Sequence, residues 1–195
     1  MRVKEGNKEK DILEAAIKVF AEYGYHVAKI SKIAEIANVA TGSVYVYFKN
    51  KEDILLKIFA NLWFELHKEF ELLYKNSLLS QTEKLDGMID LIFDVLTANR
   101  LLAIVVVNEQ NHIQKSNKEG FTDFHDKFLS IGETIIKAGI IDKSFTSDVD
   151  INIFKQFVFG AVKHLVLCWT NEPQNFPINK IRQNVKSLIK YGITK

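Results

Sequence analysis

The spacing of apolar residues constrains the fold of this chain more than any other feature. From Ile12 to Tyr23 these residues recur at i, i+3, i+4, i+7 and i+8, which places them on one stripe of an α-helix. Similar stripes follow along most of the 195 residues, and no segment shows the regular polar and apolar alternation of a strand. The sequence therefore predicts an all-α fold.

The predicted helices are short at the N-terminal end and longer beyond it. They cover about 11–23, 31–37, 41–48, 51–74, 82–96, 101–113, 118–138, 150–170 and 178–191. Gly24 is predicted to stop the first helix and Asn38 to end the second, because both residues tolerate a left-handed backbone. Thr41 and Thr82 are predicted as N-caps, since a threonine hydroxyl accepts a hydrogen bond from a backbone N–H of the first turn.

The segment TGSVYVYFKNKEDIL, residues 41–55, has two interpretations. Its alternating aromatic residues are typical of a strand that enters a turn, whereas helical spacing places Val44 and Phe48 together on an inward face. A hairpin needs a partner strand, but the apolar residues that follow again show helical spacing. We therefore predict a helix in which Tyr45 and Tyr47 lie outside the buried face.

Three short helices with a tight turn between the second and third form a helix-turn-helix, whose third helix enters the major groove of DNA. The segment KISKIAEIANVATGSVYVYFKNKEDIL, residues 29–55, resembles the signature of the TetR family of bacterial transcription regulators. The resemblance extends over residues 8–58. It implies a helical DNA-binding domain, here 1–52, before a larger helical ligand-binding and dimerisation domain, here 53–195. It also implies a repressor that binds a palindromic operator in double-stranded DNA.

The resemblance assigns individual residues to DNA contacts. Gly42 and Ser43 fall at the start of the recognition helix. Tyr45 and Tyr47 fall where the family contacts DNA, and Lys51 falls where a lysine grips a phosphate. A glycine lets the backbone approach closely, hydroxyls donate to phosphate or base, and lysine supplies positive charge. The predicted DNA-binding residues are Lys29, Ser31, Thr41, Gly42, Ser43, Tyr45, Tyr47, Lys49 and Lys51. Core packing is the alternative for the tyrosines.

Arginine is absent between Arg2 and Arg100. The arginine side chain is the one that best grips O6 and N7 of guanine, so base contacts here must use hydroxyls, lysines and apolar contact with thymine methyls. An operator rich in A·T pairs is therefore predicted. The alternative is that Lys29 or Lys49 reads guanine. Arg2 and Lys4 are interpreted as a solvated tail rather than a minor-groove arm.

The helix predicted at 150–170 is apolar on two sides, which favours one side in the core and the other against a second copy of the chain. A homodimer suits a palindromic operator. With the helix at 178–191, and with Gly160 allowing close approach, it is predicted to form a four-helix bundle across a two-fold axis. The predicted interface residues are Phe154, Val158, Ala161, Leu165, Ile181, Val185 and Leu188. The alternative is a helix buried within its own monomer.

Phenylalanine is abundant in the second domain and favours an apolar ligand pocket. The segments LLAIVVVNEQNHI (101–113) and GIIDKSFTSDVDINIFKQFVFGAV (139–162) resemble the FadR-type branch of the family, which responds to fatty acyl-CoA. This resemblance implies a fatty acyl-CoA effector whose phosphates meet basic side chains, with Arg100 and Lys163 as candidates. The predicted pocket residues are Phe93, Leu96, Arg100, Val106, Glu109, Phe121, Phe124, Phe128, Phe157 and Trp169. Core packing is the alternative for each phenylalanine.

Two other interpretations of the second domain stay open. A regulator of multidrug efflux would bind lipophilic cations and would need a carboxylate in the pocket, for which Glu109 and Asp94 are candidates. Glu109 has the alternatives of facing water or pairing with Lys115. In the other interpretation, the domain recruits a protein partner instead of a small molecule.

No enzymatic activity, metal or cofactor is predicted. The histidines are scattered, and no nucleophile motif or glycine-rich phosphate loop occurs. His164 and Cys168 are spaced i, i+4 but are interpreted as packing residues, and a single cysteine fits a reducing compartment. The N-terminus is charged, and the longest apolar run, 101–107, is far too short for a membrane span. We therefore expect a cytoplasmic protein with no membrane partner.

Overall fold

The computed structural model describes residues 8–116 and 118–194, without the side chains of 118–124. Within these ranges the chain forms nine α-helices and no strand longer than an isolated bridge, which confirms the predicted all-α class. The helices are α1 (Lys8–Tyr23), α2 (Ile30–Ile36), α3 (Thr41–Tyr47), α4 (Lys51–Lys75), α5 (Gln81–Ala98), α6 (Arg100–Ser116), α7 (Lys118–Ile141), α8 (Ile151–Asn171) and α9 (Ile178–Ile193). The observed ends lie a few residues from the predicted ones.

Left-handed residues end the first two helices, as predicted. Gly24 follows α1 with φ of 74°, and Asn38 lies beyond α2 with φ of 55°. Glycine adopts this conformation without steric cost, and asparagine does so more readily than most other residues. The chain therefore turns sharply twice, and α1, α2 and α3 pack against one another.

The predicted N-caps of α3 and α5 are wrong by one or two residues. Ala40 is the N-cap of α3, so Thr41 is the first helical residue, and no side chain caps this helix. Ser80 caps α5 in place of Thr82: its hydroxyl accepts the backbone N–H of Glu83, and the Glu83 carboxylate accepts the backbone N–H of Ser80. This reciprocal pair satisfies two backbone donors at the helix start.

The first three helices enclose an apolar core. Val44 of α3 is fully buried and Phe48 is 4% exposed, as the helical interpretation of this segment requires. Ile12, Ala16 and Val19 supply the buried stripe of α1. The inward residues of α3 thus fix which side of that helix remains at the surface.

Helix α4 is 25 residues long and belongs to both halves of the molecule. Lys57, near its start, lies 3.8 Å from Glu9 of α1. Phe70, near its end, stacks on Phe128 of α7 with ring centres 5.1 Å apart. One continuous helix therefore connects the helix-turn-helix with the second set of helices.

Helix α9 packs on the rest of the chain by one apolar stripe. Its buried residues are Ile181, Val185, Ile189 and Ile193. Beside the stripe, Arg182 donates to Asp94 of α5 at 2.5 Å, and Lys186 donates to Asp90 of α5 at 2.7 Å. Ile181 and Val185, predicted at the dimer interface, therefore belong to the core of the single chain.

Helix α8 is apolar on two sides, as predicted. By length and composition alone it is long and apolar enough to cross a membrane, and no other described helix is. Val162 and Val166 are buried in the domain, whereas Ile153 and Phe157 are 70% and 64% exposed. Two separate apolar surfaces, one inward and one outward, account for this composition.

The loop after α7 folds back onto the end of that helix. The backbone N–H of Phe145 donates to the carbonyl of Gly139 at 2.9 Å, and a Cβ placed on Gly139 would lie 2.1 Å from the Phe145 ring. Thr146 donates its N–H to the carbonyl of Ile193 at 2.8 Å, and a bridge pairs Phe145 with Thr194. The loop therefore ties the end of α9 to the end of α7.

Candidate ligand pocket and DNA-binding helix

The outer side of α3 carries the residues predicted to touch DNA. Tyr45 and Tyr47 are 55% and 39% exposed, so core packing does not describe these tyrosines. Thr41 and Gly42 at the start of the helix are exposed, and Ser43 is half-buried. Nothing lies within 4 Å of a Cβ placed on Gly42, so the backbone at this end of α3 is open to a large partner.

Other predicted DNA-binding residues flank α3. Lys29 directly precedes α2, Ser31 lies in the first turn of α2, and Lys49 follows α3; all three are exposed. Val46, between the two tyrosines, is 77% exposed and is not among the predicted DNA-binding residues. An exposed apolar side chain on a recognition helix suits contact with a thymine methyl.

Lys51 lies in a different environment from the other predicted lysines. Its ammonium donates to the carbonyls of His26 and Ala28 at 3.1 and 3.0 Å and lies 4.5 Å from the centre of the Tyr25 ring. Burial lowers the pKa of Lys51, and the charge of Glu109 opposes that shift. Lys51 therefore holds the loop between α1 and α2 against the start of α4, a role that the predicted phosphate contact did not include.

An apolar cavity of about 110 Å³ lies between α4, α5, α6, α7 and α8. Aromatic and aliphatic side chains form nearly all of its wall. Trp63 and Phe70 of α4, Met88 of α5, Phe128 of α7 and Phe159 of α8 are among them. A concave site lined in this way suits an alkyl or aromatic ligand.

Some of the predicted pocket residues line this cavity. Leu96 of α5, Val106 of α6 and Phe128 of α7 are on its wall. Phe121 and Phe124 lie outside the side chains that the structure describes. Each of these three helices therefore contributes one predicted residue to the cavity wall.

Other predicted pocket residues lie elsewhere. Phe93 is fully buried in the core beneath Arg182, whose guanidinium carbon is 5.7 Å from the ring centre. Trp169 packs against the core and is absent from the cavity wall. Phe157 is 64% exposed on the outer side of α8, because residues two positions apart lie about 200° apart around a helix, and Lys155 and Phe159 on either side of it face the cavity.

Arg100 and Glu109 are also directed away from the cavity. The guanidinium of Arg100 donates to the carbonyl of Thr170 at the end of α8, at 2.7 Å. The carboxylate of Glu109, which is 9% exposed, accepts the backbone N–H of Tyr25 at 3.0 Å. Both side chains therefore hold parts of the chain together and do not face the cavity.

Some residues predicted at the dimer interface line the cavity instead. Phe154 and Val158 of α8 line it, and Leu165 packs against the core. Ala161 is half-buried. The spacing of apolar residues identified both sides of α8 but gave no signal for which side faces inward.

Two lysines of α8 reach the cavity wall. Lys155 lies 2.6 Å from the carboxylate of Glu133, whereas Lys163 donates to the side-chain oxygen of Asn111 at 2.8 Å and forms no ion pair within the described ranges. Burial lowers the pKa of Lys163. A partly buried ammonium without a carboxylate is stabilised by an anionic ligand.

A wider, polar cavity of about 690 Å³ adjoins the apolar one, and the two share Leu129 and Lys155. Polar side chains of α7 and α8, including Ser130 and Asn152, line it. An apolar cavity beside a polar one suits an amphiphile with a long tail and a large polar head.

Helices α8 and α9 pack against each other, and each carries exposed apolar side chains. Ile153 and Phe157 of α8 are 70% and 64% exposed, and Leu188 and Tyr191 of α9 are 72% and 83% exposed. Nothing lies within 4 Å of a Cβ placed on Gly160 in the same helix as Phe157. We call these five residues the α8–α9 surface. Large apolar side chains left exposed on packed helices indicate a protein contact.

Within the described part of the chain, no group of three or more His, Cys, Asp or Glu residues is placed to hold a metal ion. His164 and Cys168 do meet on α8, with Nε2 and Sγ 3.7 Å apart. Two such groups without further ligands make an incomplete zinc site.

An exposed third helix in a helix-turn-helix, joined by one long helix to a helical domain with an apolar cavity, defines a DNA-binding transcription regulator with a ligand domain. The family model for bacterial regulatory proteins of the tetR family matches residues 12–58, and the model for the C-terminal region of YsiA-like proteins matches residues 71–192. The chain belongs to the TetR family of bacterial transcription regulators.

Relatives cover nearly the whole chain. The fatty acid metabolism regulator protein of Bacillus subtilis (strain 168) is 31% identical over 95% of this chain and 95% of its own length. The structure of FadR from Bacillus halodurans has a TM-score of 0.85 at 29% identity, covering 97% of this chain and 98% of that one. The structure of FadR from Bacillus subtilis in complex with stearoyl-CoA has a TM-score of 0.83 at 31% identity, covering 94% and 98%.

Proposed function

We propose that this chain is a homodimeric transcriptional repressor that binds a palindromic operator and is released from it by a long-chain fatty acyl-CoA. The observation that carries the proposal is the apolar cavity whose wall includes Lys163, an ammonium without an ion-pair partner in the described residues. An acyl chain suits the lining, and a phosphate or thioester oxygen suits the lysine. The structure of the Bacillus subtilis relative with stearoyl-CoA supports this choice of effector.

The polar cavity supports the same ligand class. It adjoins the apolar cavity at Leu129 and Lys155, so a single ligand can extend from one to the other. We place the acyl chain between α4 and α8 and the CoA portion toward α7 and α8. Arg100, whose guanidinium is bound to the Thr170 carbonyl, is not part of this proposal.

The α8–α9 surface is our proposed dimer interface. Its exposed residues include Leu188, a predicted interface residue, whereas Ile181 and Val185 are buried in the chain's own core. Two copies of such a helix pair form a four-helix bundle across a two-fold axis. Burial of Phe157 and Tyr191 in that bundle removes large apolar side chains from water.

The dimer is proposed to insert both α3 helices into successive major grooves, about 34–36 Å apart. Tyr45, Tyr47, Ser43 and Lys49 are the proposed contacts, and Val46 adds an apolar contact with thymine. The proposed operator is two-fold symmetric and rich in A·T pairs. A protein that acts on DNA in this way works in the cytoplasm of a bacterium.

The structure gives less support to a lipophilic cation as effector. Glu109 accepts the Tyr25 N–H, and Asp94 is paired with Arg182, so neither carboxylate is on the cavity wall. A cation in the cavity would instead meet Lys155 and Lys163. The remaining alternative is that the second domain binds a protein partner instead of a small effector. The ligand and DNA-binding experiments below distinguish the two.

Thermal unfolding against acyl-CoAs of increasing chain length tests the effector. A ligand at about 100 times its Kd that binds only the folded state adds about 2.7 kcal/mol of stability, which raises Tm by several degrees. We expect stabilisation to grow with chain length and to vanish for CoA alone. Lys163→Met is expected to reduce it, while the exposed Lys68→Met serves as control. An unchanged Tm with every acyl-CoA would contradict the proposed effector.

Selection from a random duplex DNA pool tests the DNA function. The enriched sequence should be palindromic and rich in A·T pairs, and stearoyl-CoA should weaken its binding in fluorescence anisotropy. An asymmetric sequence would contradict the dimeric docking. Operator binding that no acyl-CoA alters, together with no change in Tm, would favour a protein partner.

A further inference from the structure

Five residues join the helix-turn-helix to the ligand domain. Tyr25 and His26 form the loop after α1, Lys51 begins α4, and Glu109 and His112 lie in α6. We call them the Tyr25 junction. They come together although Glu109 is 84 positions from Tyr25 in the sequence.

Tyr25 is held on several sides at this junction. Its backbone N–H donates to Glu109 at 3.0 Å, and its ring centre lies 4.3 Å from the His112 ring and 4.5 Å from the ammonium of Lys51. The rings of His26 and His112 meet edge to face at 5.0 Å. Tyr25 is 8% exposed, so the loop is packed into the ligand domain.

The Glu109 hydrogen bond satisfies a backbone N–H just beyond the end of α1. Gly24, with φ of 74°, ends that helix. The N–H of Tyr25 therefore lies beyond the last helical turn, and its acceptor is the Glu109 carboxylate of α6. A buried backbone N–H without an acceptor is costly, and here one carboxylate supplies the acceptor across the domain boundary. A Cβ on Gly24 would lie 3.9 Å from the same carboxylate oxygen.

Helix α6 contacts the cavity and the junction within two turns. Val106, Val107 and Gln110 line the cavity, while Glu109 and His112 meet the loop after α1. Successive helical residues turn by about 100°, so these two sets face different sides of one rigid element. Any shift of α6 caused by a ligand in the cavity therefore moves the acceptor of the Tyr25 N–H.

We infer that the Glu109–Tyr25 hydrogen bond is the contact through which occupancy of the cavity alters the position of the helix-turn-helix. This inference rests on the proposed function, because it describes how that effector would act. Glu109 is a positioning residue: it touches neither the cavity nor the outer side of α3. Lys51 adds a second tie through the carbonyls of His26 and Ala28, so the loop is held from α4 as well as from α6.

The test compares Glu109→Ala, Glu109→Gln and the exposed control Glu65→Ala. Glutamine keeps an acceptor oxygen for the Tyr25 N–H, and alanine removes it. For each variant, operator Kd is measured with and without stearoyl-CoA by fluorescence anisotropy, and stearoyl-CoA Kd is measured without DNA by calorimetry. The ratio of the two operator Kd values is the coupling, which is typically about 5- to 150-fold in allosteric proteins.

We expect Glu109→Ala to lower this ratio by roughly 10-fold while stearoyl-CoA Kd changes by less than about 3-fold. Glu109→Gln and Glu65→Ala should keep the wild-type ratio, and amide exchange at Tyr25 should be faster in Glu109→Ala alone. If Glu109→Ala does not fold, His112→Ala removes the ring contact of the same junction and should lower the ratio in the same direction.

Three outcomes would overturn the inference. If Glu109→Ala keeps the wild-type ratio of operator Kd values, another contact carries the coupling. If that variant loses stearoyl-CoA binding, Glu109 belongs to the ligand site. A reduced ratio in Glu109→Gln shows that charge, not the hydrogen bond, carries the effect. If stearoyl-CoA does not change the operator Kd of the wild-type protein, the proposed function and the inference are both overturned.

Discussion

Lys155 of α8 and Glu133 of α7 form an ion pair of 2.6 Å at the boundary between the apolar and polar cavities. Glu133 also lies 2.6 Å from Lys137 in its own helix. The hydrogen bonds from Lys137 and Lys155 lower the pKa of Glu133 from 4.5 to about 2. The pair therefore fixes part of the cavity wall over a wide range of pH.

We expect Glu133 to contribute to acid sensitivity. Its pKa is lower in the folded chain, so its stabilisation is present above about pH 4.5 and is lost as pH falls toward about 2. The difference in unfolding free energy between wild type and Glu133→Gln should therefore shrink over that interval in urea titrations. Glu65→Gln, on the exposed side of α4, is the matched control. A difference that stays constant with pH would contradict this assignment.

Lys49 and Lys51 are expected to respond differently to substitution. Lys49 is exposed beside α3, so Lys49→Ala should weaken operator binding and reduce the slope of log Kd against log salt by about one. Lys51 donates to two backbone carbonyls, so Lys51→Ala should lower Tm more than Lys49→Ala does. Salt titrations by anisotropy and thermal melts measure the two effects. Equal Tm values would argue against a structural role for Lys51.

Phe157→Asp is expected to separate the proposed dimer. The side chain is 64% exposed in the single chain, so the change should leave the monomer folded but place a charge in the interface. Sedimentation velocity should show a shift from dimer to monomer. Phe64→Asp, at a residue 61% exposed on α4, controls for the loss of an exposed phenylalanine. A dimer that survives Phe157→Asp but not Phe64→Asp would move the interface to α4.

Two glycine substitutions should have opposite effects on the stability of the single chain. Gly139→Ala forces a Cβ to within 2.1 Å of the Phe145 ring and should lower the unfolding free energy by roughly 1–3 kcal/mol. Gly160→Ala meets nothing within 4 Å in a helix and should raise it by about 0.5–1 kcal/mol. Urea unfolding of dilute protein measures both. Similar losses in the two variants would show that space around the Cβ is not the deciding factor.

The helices and the exposed side of α3 were predictable because local spacing determines them. Val44 and Phe48 fall on one side of α3 at i and i+4, which leaves Tyr45 and Tyr47 on the outside, and the structure has this arrangement. The left-handed conformation of Asn38 likewise follows from residue type and position. In each case the signal lies within a few residues of sequence.

The contents of the pocket were less predictable, because they depend on how the helices rotate against one another. Phe154 and Phe157 have the same chemistry, yet one lines the cavity and the other is exposed. The stripe of α9 that begins at Ile181 packs on its own chain, and beside it Arg182 and Lys186 pair with Asp94 and Asp90 of α5. Periodicity identifies an apolar side of a helix, but tertiary packing decides what covers it.

The role of Glu109 had no local signal. Its partner is a backbone N–H in another part of the chain, and a backbone donor leaves no trace in the pattern of side chains. The sequence showed only that an acidic residue lies in an otherwise apolar helix. From the sequence, a cationic ligand, water and Lys115 were all possible partners of Glu109, and the structure shows instead a hydrogen bond to the loop after α1.

The continuity of α4 limits how regulators of this design can be recombined. Lys57 contacts α1 and Phe70 stacks on α7 within the same helix, so no flexible linker separates the helix-turn-helix from the second set of helices. A chimera that joins another helix-turn-helix to this chain near Asp53 would place a foreign α1 surface against Lys57 and a foreign loop against Glu109. Engineers who wish to exchange operators must therefore transplant both contact surfaces along with the recognition helix.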